Sequence, residues 1–254
     1  MNDDPFGDRR LAALYDVDNP PGEDHEYFRG VADRIDARHI VDLGCGTGSL
    51  TVTLAGPDRT VYGVDPSPTM LEVARHRPGH DRVSWQDGDA DVLAGLIAPA
   101  SLDLVIMSGN TAQHIVSAEW DRTLQTIGSV LRPGGLLTFE TRNPAARAWE
   151  SWSEDNTRGT RDTEHGPLTE WLEITGVTGF ENGSGGQVAF AGHNLFEATG
   201  EHVAFENVLA FRSRPELTAD LAKAGLQVVS IAGGWQDEPA TETGRLFVVT
   251  ASRS

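Results

Sequence analysis

Three glycines and an aspartate near the start of the chain have the spacing of a nucleotide-binding turn. Gly44, Gly46 and Gly48 follow a short apolar run, and Asp65 ends the next one, twenty-one residues after Gly44. Glycines at such a turn let the backbone approach a ligand closely, and the helix that follows offers unpaired N–H groups to an anionic group. A carboxylate at Asp65 can accept hydrogen bonds from both hydroxyls of a ribose. The spacing therefore predicts a site for a nucleoside-containing cofactor.

The segments that must position this turn alternate between strand-like and helix-like patterns. Strands are predicted at residues 39–43, 60–64, 82–86, 102–107, 135–140, 226–231 and 246–250, and helices at residues 24–38, 51–54, 68–75, 120–131 and 215–224. Strands that alternate with helices at this spacing indicate βαβ units and a parallel sheet. We predict an α/β fold: a Rossmann-like, seven-stranded, mostly parallel sheet with helices on both faces.

The alternation changes after residue 143. Polar residues at 149–166 predict an irregular loop. Three segments with alternating apolar and polar residues follow, separated by turn signals, at residues 168–177, 187–196 and 202–212. They predict an antiparallel β insertion that caps the α/β sheet. Its aromatic side chains either stack on an acceptor or form a small core, and its edge strands are a candidate homodimer surface.

The glycine turn is distinguished from the dinucleotide pattern Gly-x-Gly-x-x-Gly by Ser49, which occupies the last position. Read from Asp42, the turn is Asp-x-Gly-x-Gly-x-Gly, and it resembles the loop of class I S-adenosylmethionine-dependent methyltransferases, which wraps the methionine part of the cofactor. Further motifs similar to those of the family occur in order, at residues 63–67, 87–90, 102–105 and 131–135. The resemblance covers residues 38–143 closely and implies S-adenosyl-L-methionine as the cofactor.

This resemblance also implies roles for individual residues. Asp65 would hold the ribose hydroxyls, and Asp89 would bind the adenine amino group, with Asp87 as the alternative. The cofactor-binding residues implied in this way are Asp42, Gly44, Cys45, Gly46, Gly48, Asp65, Pro66, Asp89, Ala90 and Ser108. Tyr15 belongs to a segment that resembles the cofactor lid of family members acting on small molecules. We expect one methyltransferase domain over residues 1–254, with residues 1–38 as a helical lid and residues 144–214 as the cap.

The loops after the fourth and fifth strands of the predicted sheet should meet the acceptor, because ligands of doubly wound sheets bind at the carboxyl ends of the strands. His114 in the first loop is the best candidate for a general base, since an unperturbed imidazole titrates near pH ~6.5. Capping or packing of the nearby helix explains His114 equally well. Glu140 in the second loop either pairs with Arg142 or Arg147 or takes part in the reaction.

Charge and composition exclude several classes of partner. The formal net charge is -18, and Lys223 is the only lysine, so the surface should repel nucleic acid and anionic membranes. We expect a cytoplasmic location, since residues 1–4 have no signal-peptide character and no apolar run could span a bilayer. Cys45 is the single cysteine, and the histidines are scattered, so neither an internal disulfide nor a metal site is expected.

Together these features predict a methyltransferase that uses S-adenosyl-L-methionine to methylate a small-molecule acceptor by direct displacement. The alternatives are an RNA or protein methyltransferase and a non-catalytic module that binds the same cofactor. A nicotinamide-binding oxidoreductase is disfavoured by Ser49 and by the later motifs.

Overall fold

The helices and strands of the chain follow the predicted alternation. The computed structural model describes residues 6–254, apart from the side chain of Ser117, so the prediction for residues 1–4 lies outside the described residues. The first half contains α1 Arg9–Asp18, α2 Glu23–Arg34, β1 His39–Leu43, α3 Thr51–Leu54, β2 Thr60–Asp65, α4 Pro68–Ala74, β3 Val83–Asp87, α5 Leu93–Leu96, β4 Leu102–Met107, α6 Thr111–His114, α7 Ser117–Val130 and β5 Leu131–Arg142. The second half contains α8 Glu154–Thr157, β6 Gly159–Thr163, β7 Gly166–Gly179, β8 Gly186–Phe196, β9 Glu201–Phe211, α9 Arg214–Lys223, β10 Leu226–Ala232 and β11 Leu246–Arg253.

Seven of these strands form one sheet in the order β10-β11-β5-β4-β1-β2-β3. The pairs from β3 across to β5 are parallel, and β11 runs antiparallel between β5 and β10. This arrangement confirms the predicted Rossmann-like sheet. From β1 the strands follow one another outward through β2 to β3, whereas the next strand, β4, lies on the other side of β1. The strand order therefore reverses between β1 and β4, and the crevice at the carboxyl ends of these two strands is where such folds bind ligands.

Helices cover both faces of this sheet, and β4 shows the two layers most clearly. All six residues of β4 are buried, as expected for a parallel strand covered on both sides. Leu104 and Ile106 pack with Phe28 of α2, while Val105 and Met107 pack with Trp120 of α7 on the opposite face. In the described part of the chain, no helix is long and apolar enough to cross a membrane.

The second sheet has four strands, in the order β6-β7-β8-β9, and all of its pairs are antiparallel. Strands β7, β8 and β9 confirm the three predicted segments. The prediction of an irregular loop over residues 149–166 is wrong in part, because this stretch contains α8 and β6. β6 pairs only with β7 and is mostly exposed. An edge strand without a buried face has no hydrophobic alternation by which to recognise it.

Aromatic side chains of the second sheet form a small core of their own. Trp149, Val188, Phe190, Leu209 and Phe211 are buried together. Alternation along β8 buries the face that carries Phe190. The core explanation is therefore confirmed for most of these aromatic residues.

Gly48 allows the turn after β1 to pack against the ring of Trp85 in β3. Its φ is +75°, and a Cβ at this position would lie 2.4 Å from Cη2 of Trp85. We expect Gly48→Ala to lower the free energy of unfolding by about 1–3 kcal/mol, because the left-handed backbone and the displaced ring both cost energy. Urea denaturation measures this difference.

Gly56 provides the matched control for this substitution. A Cβ on Gly56 has no neighbour within 4 Å. Gly56→Ala should leave stability unchanged or raise it slightly, by up to about 1 kcal/mol, through the lower entropy of the unfolded chain. Equal stability losses in the two variants would contradict the packing argument for Gly48.

Candidate functional site

The turn after β1 is held against the ends of its two neighbouring strands. The backbone N–H groups of Gly44 and Cys45 donate to the carbonyl oxygen of Val64 in β2, at 2.7 and 3.0 Å. On the other side, the Thr111 hydroxyl donates to the carbonyl oxygens of Ser108, at 2.7 Å, and Gly44, at 3.3 Å. A Cβ on Gly44 would lie only 2.4 Å from the Thr111 side chain. The absence of a side chain at Gly44 therefore brings the loops after β1 and β4 together.

Asp65 ties this turn to the end of β2. One carboxylate oxygen accepts from the Gly46 N–H at 2.7 Å, and the other accepts from the Ser67 N–H at 2.9 Å. The residue is 7% exposed. Each carboxylate oxygen can accept two hydrogen bonds, so Asp65 can support the turn and still accept from a ribose diol. The donor and acceptor groups at this edge of the sheet thus fit a nucleoside.

A single cavity of about 1180 Å³ extends from the turn to the loops after β4 and β5. Most predicted site residues line it: Tyr15, Gly44, Cys45, Gly46, Asp65, Pro66, Asp89, Ala90, Ser108 and His114. Drug-sized ligands occupy pockets of about 300–1,000 Å³, so the cavity has room for a cofactor and an acceptor together. Of the two adenine candidates, Asp89 lines the cavity, whereas Asp87 is exposed outside it.

Asp42 and Gly48 do not line the cavity. Asp42 is fully buried, and one of its oxygens accepts from the Thr51 hydroxyl at 2.6 Å. Burial raises the pKa of Asp42 to about 7. Direct cofactor contact by Asp42 and Gly48 therefore stays a prediction, and neither residue contributes to the cavity lining.

Helix α1 joins the turn to the second sheet. Asp16 accepts from the Thr47 hydroxyl at 2.6 Å and pairs with Arg77, whose Nε donates to the Thr47 carbonyl at 2.8 Å. Arg10, at the start of the same helix, pairs with Glu201 of β9 at 2.7 Å. This helix therefore lies beside the cavity as the predicted lid would, and it presents Tyr15 to the interior. Burial and the nearby carboxylates raise the pKa of Tyr15.

His114 lines the cavity next to the second sheet. Its Nδ1 is 3.3 Å from the side-chain nitrogen of Asn207 in β9. The ring is open to the cavity, yet the surrounding protein replaces bulk water. This desolvation, together with the charge of Arg142, lowers the pKa of His114 to about 4. At neutral pH the imidazole is consequently uncharged.

Glu140 lies near the carboxyl end of β5 and also lines the cavity. It is 4% exposed, and one oxygen accepts from the Asn110 N–H at 2.5 Å. The other oxygen, Oε2, has no hydrogen-bond partner among the described residues. Burial raises the pKa of Glu140 to about 7. Glu140 therefore has unused hydrogen-bonding capacity inside the cavity.

Neither ion pair predicted for Glu140 forms. Arg142 donates to the Gln113 side-chain oxygen at 2.9 Å, and Arg147 pairs with Glu150 at 3.0 Å. Arg142 is the last residue of β5 and Arg147 lies five residues later, but both side chains have partners other than Glu140. Proximity along the chain was therefore a poor guide to the charge partners of this carboxyl.

Two residues that were not predicted from the sequence, one in β9 and one directly after it, lie near His114 and its helix. Asn207 lines the cavity, and Arg212, just after β9, donates to the carbonyl oxygens of Ala112 and Ile115 at 2.8 and 2.5 Å. A signal for Asn207 exists in the sequence, because it is a polar residue on the strand face that carries Leu209. Its contact with His114 spans 93 residues and could not be inferred from spacing.

Comparison with known proteins agrees with this geometry. Residues 40–135 match the model of a family described as "Methyltransferase domain". They contain the turn, Asp65, Asp89 and the loop that carries His114. This segment is thus similar in sequence to a methyltransferase domain.

Among curated relatives, the ubiquinone/menaquinone biosynthesis C-methyltransferase UbiE of Rubrivivax gelatinosus is 40% identical over 109 residues, covering 42% of this chain and 41% of the relative. Glycine N-methyltransferase of Mus musculus is 30% identical over 153 residues, covering 53% and 51% of the two chains. The chain thus spans about half the length, or less, of these relatives.

Solved structures match the whole chain. The CcbJ methyltransferase from Streptomyces caelestis has a TM-score of 0.75 at 21% identity, with 100% of both chains covered. CalS10, an amino pentose methyltransferase from Micromonospora echinaspora, has a TM-score of 0.64 at 22% identity, again with 100% of both chains covered. At this identity the likeness shows a shared fold, including the second sheet.

The raised pKa of Asp42 predicts a pH-dependent stability. The folded protein holds a proton on this carboxyl up to about pH 7, whereas an unfolded aspartate loses it near pH ~4. The folded state binds more protons in this interval, so the free energy of unfolding should fall as pH rises from 4 to 7. Asp42→Asn should remove up to about 4 kcal/mol of that decline.

Urea denaturation at several pH values between 4 and 7 measures this slope, and the exposed Asp58 offers the control. Asp58→Asn should leave the slope as in the wild type, since its carboxyl lies at the surface. The comparison uses slopes because an asparagine amide at position 42 adds a constant cost of its own. Parallel curves for the wild type and Asp42→Asn would contradict the assignment.

Proposed function

We propose that this protein is an S-adenosylmethionine-dependent methyltransferase that methylates a small-molecule acceptor by direct displacement. One observation carries the proposal: the same cavity joins a nucleoside-type end, with Asp65 and Asp89, to an end with Glu140 and His114. S-adenosyl-L-methionine, when bound, supplies an electrophilic methyl group on a sulfonium. The protein would contribute position and desolvation, and good orientation of reactants alone can be worth about 7–11 kcal/mol.

The residues of the first end would hold the cofactor. Asp65 would accept from the ribose hydroxyls, Asp89 would bind the adenine amino group, and Ala90 would contribute its backbone. Gly44, which lines the cavity at the turn, would lie beside the methionine part. Tyr15, presented by α1, would close the cavity over it. Donors and acceptors of these types are what a nucleoside with an amino acid tail requires.

His114 would act on the acceptor at the other end. Since its pKa is lowered to about 4, its neutral imidazole can accept a hydrogen bond from an N–H or O–H group at physiological pH. The same low pKa makes His114 a poor general base at neutral pH. We therefore propose that His114, supported by Asn207, chiefly orients the acceptor.

The size and surroundings of the acceptor end support a small molecule over RNA or protein. Residues from the second half of the chain also line the cavity, among them Trp152 and Asn207, so the acceptor would bind in an interior space of limited size. The net charge of -18 opposes a nucleic acid. One protein of the same fold is titled an amino pentose methyltransferase, which also fits a small acceptor. A cytoplasmic location and a homodimer through an edge of the second sheet stay predictions.

Calorimetric titration with S-adenosyl-L-methionine and with S-adenosyl-L-homocysteine is the first test. Micromolar binding of both is expected. A panel of small acceptors would then be screened for release of S-adenosyl-L-homocysteine, which separates an enzyme from a non-catalytic binding module. The absence of binding to either compound would contradict the proposal.

Asp65→Ala should weaken the binding of S-adenosyl-L-homocysteine at least tenfold, or by about 1.4 kcal/mol. The substitution removes the acceptor for the ribose hydroxyls and also the support of the Gly46 N–H. Asp87→Ala is the matched control, because Asp87 is the register partner of Asp65 on β3 but lies outside the cavity. Calorimetry measures the affinity of both variants. Equal affinities would contradict the assignment of ribose binding to Asp65.

A further inference from the structure

The Glu140 carboxyl is the strongest unassigned feature of the cavity. It is almost completely buried, one oxygen is held by the Asn110 N–H, and Oε2 has no partner among the described residues. A buried carboxylate without a full set of partners is costly. It is stable only if it takes up a proton or if a positively charged donor arrives from the cavity.

Among the described residues, the positive charge that acts on Glu140 comes from Arg142, which forms no ion pair with it. The charged groups that act on Glu140 are Asp24 and Arg142, and the Arg142 guanidinium is engaged by Gln113 and lies 5.7 Å from the ring centre of Trp152. Burial, together with the charges of Asp65, Glu140 and Asp24, raises the pKa of Tyr15, which also lines the cavity. The charged groups that act on Tyr15 are carboxylates, Glu140 among them, so the space between Tyr15 and Glu140 favours a cationic guest.

We propose that Glu140 binds the amino group of an aliphatic amine acceptor and takes its proton before the methyl group is transferred. This inference rests on the proposed methyltransferase function and narrows its substrate class. An ammonium group brings both the positive charge and the N–H donors that Oε2 lacks. A hydroxyl would bring a donor but leave the charge of the carboxylate uncompensated.

The proton transfer is needed because an ammonium nitrogen has no free electron pair. One N–H bond breaks, and the proton moves to Oε2 of Glu140. The freed pair forms the bond to the methyl carbon while the carbon–sulfur bond breaks and leaves its pair on sulfur. The products are a methylated ammonium and a neutral thioether, and Glu140 then releases its proton to solvent.

Of the two titratable candidates, Glu140 is a better general base for this proton than His114. The pKa of Glu140 is raised to about 7 by burial, close to the pH at which the proton must be taken up and released. The pKa of His114 is lowered to about 4, so its imidazole would lose such a proton at once. General bases work best when their pKa lies near the operating pH.

A matched pair of probes tests the inference without a known acceptor. Cyclohexylamine and cyclohexanol have the same ring and differ only in the amino or hydroxyl group. Both would be titrated calorimetrically into the protein saturated with S-adenosyl-L-homocysteine at pH 7, in two buffers of different ionisation enthalpy. We expect cyclohexylamine to bind at least tenfold tighter and to release about half a proton, because a carboxyl with a pKa near 7 ionises to pair with it.

Glu140→Gln should remove both effects. It keeps the shape and the acceptor for the Asn110 N–H, but it can neither carry a charge nor release a proton. Cyclohexylamine should then bind at least tenfold more weakly than to the wild type, with cyclohexanol unchanged. Glu119→Gln is the control, since Glu119 is an exposed carboxylate that lines the same cavity.

The outcomes separate this inference from the function on which it rests. Equal affinity for the two probes, no binding of either, or no effect of Glu140→Gln would overturn the amine assignment alone. Weaker binding of S-adenosyl-L-homocysteine to Glu140→Gln would also overturn it, because Glu140 would then serve the cofactor's own amino group. A wild-type protein that binds no S-adenosyl-L-homocysteine would overturn both proposals.

Discussion

The close contact between Gly44 and Thr111 is the constraint on which the rest of the site depends. It presses the turn after β1 against the loop after β4, at the point where the strand order reverses. Asp65 then ties the same turn to β2 through the Gly46 N–H. With both neighbours fixed, the carboxyl ends of three adjacent strands form one rigid wall of the cavity. Rigid elements of this kind hold a site more precisely than free loops do.

Two long-range connections complete the site around that wall. Helix α1 reaches the turn through Asp16 and Thr47, and it reaches the second sheet through Arg10 and Glu201. Arg212 anchors the helix that carries His114 from the opposite end of the same sheet. The second sheet thus acts as a support for the acceptor end, while most of its aromatic residues pack among themselves. Both connections depend on charged side chains, whose partners lie in distant segments.

Burial decides the electrostatics of the cavity. Asp42 and Glu140 are both carboxyls with pKa values raised to about 7, but their surroundings differ. Asp42 lies outside the cavity lining and accepts a hydrogen bond from the Thr51 hydroxyl. Glu140 lines the cavity, so a carboxyl with the same raised pKa can interact with a ligand there. His114 shifts in the opposite direction for the same reason, since the loss of water disfavours the charged form of any group.

The sequence by itself determined the sheet, the turn and the first half of the site. Apolar segments that alternate with helical ones predicted the seven strands. The spacing from Gly44 to Asp65 predicted that the glycine turn and this carboxylate belong to one site. Both predictions were possible because strand and turn patterns are local properties of the chain. Tertiary structure alone decided that β6 forms an edge, that Asp42 and Gly48 do not line the cavity, and that Oε2 of Glu140 has no hydrogen-bond partner among the described residues. These depend on pairing between distant segments and on the exclusion of water, and neither is encoded in the spacing of neighbouring residues.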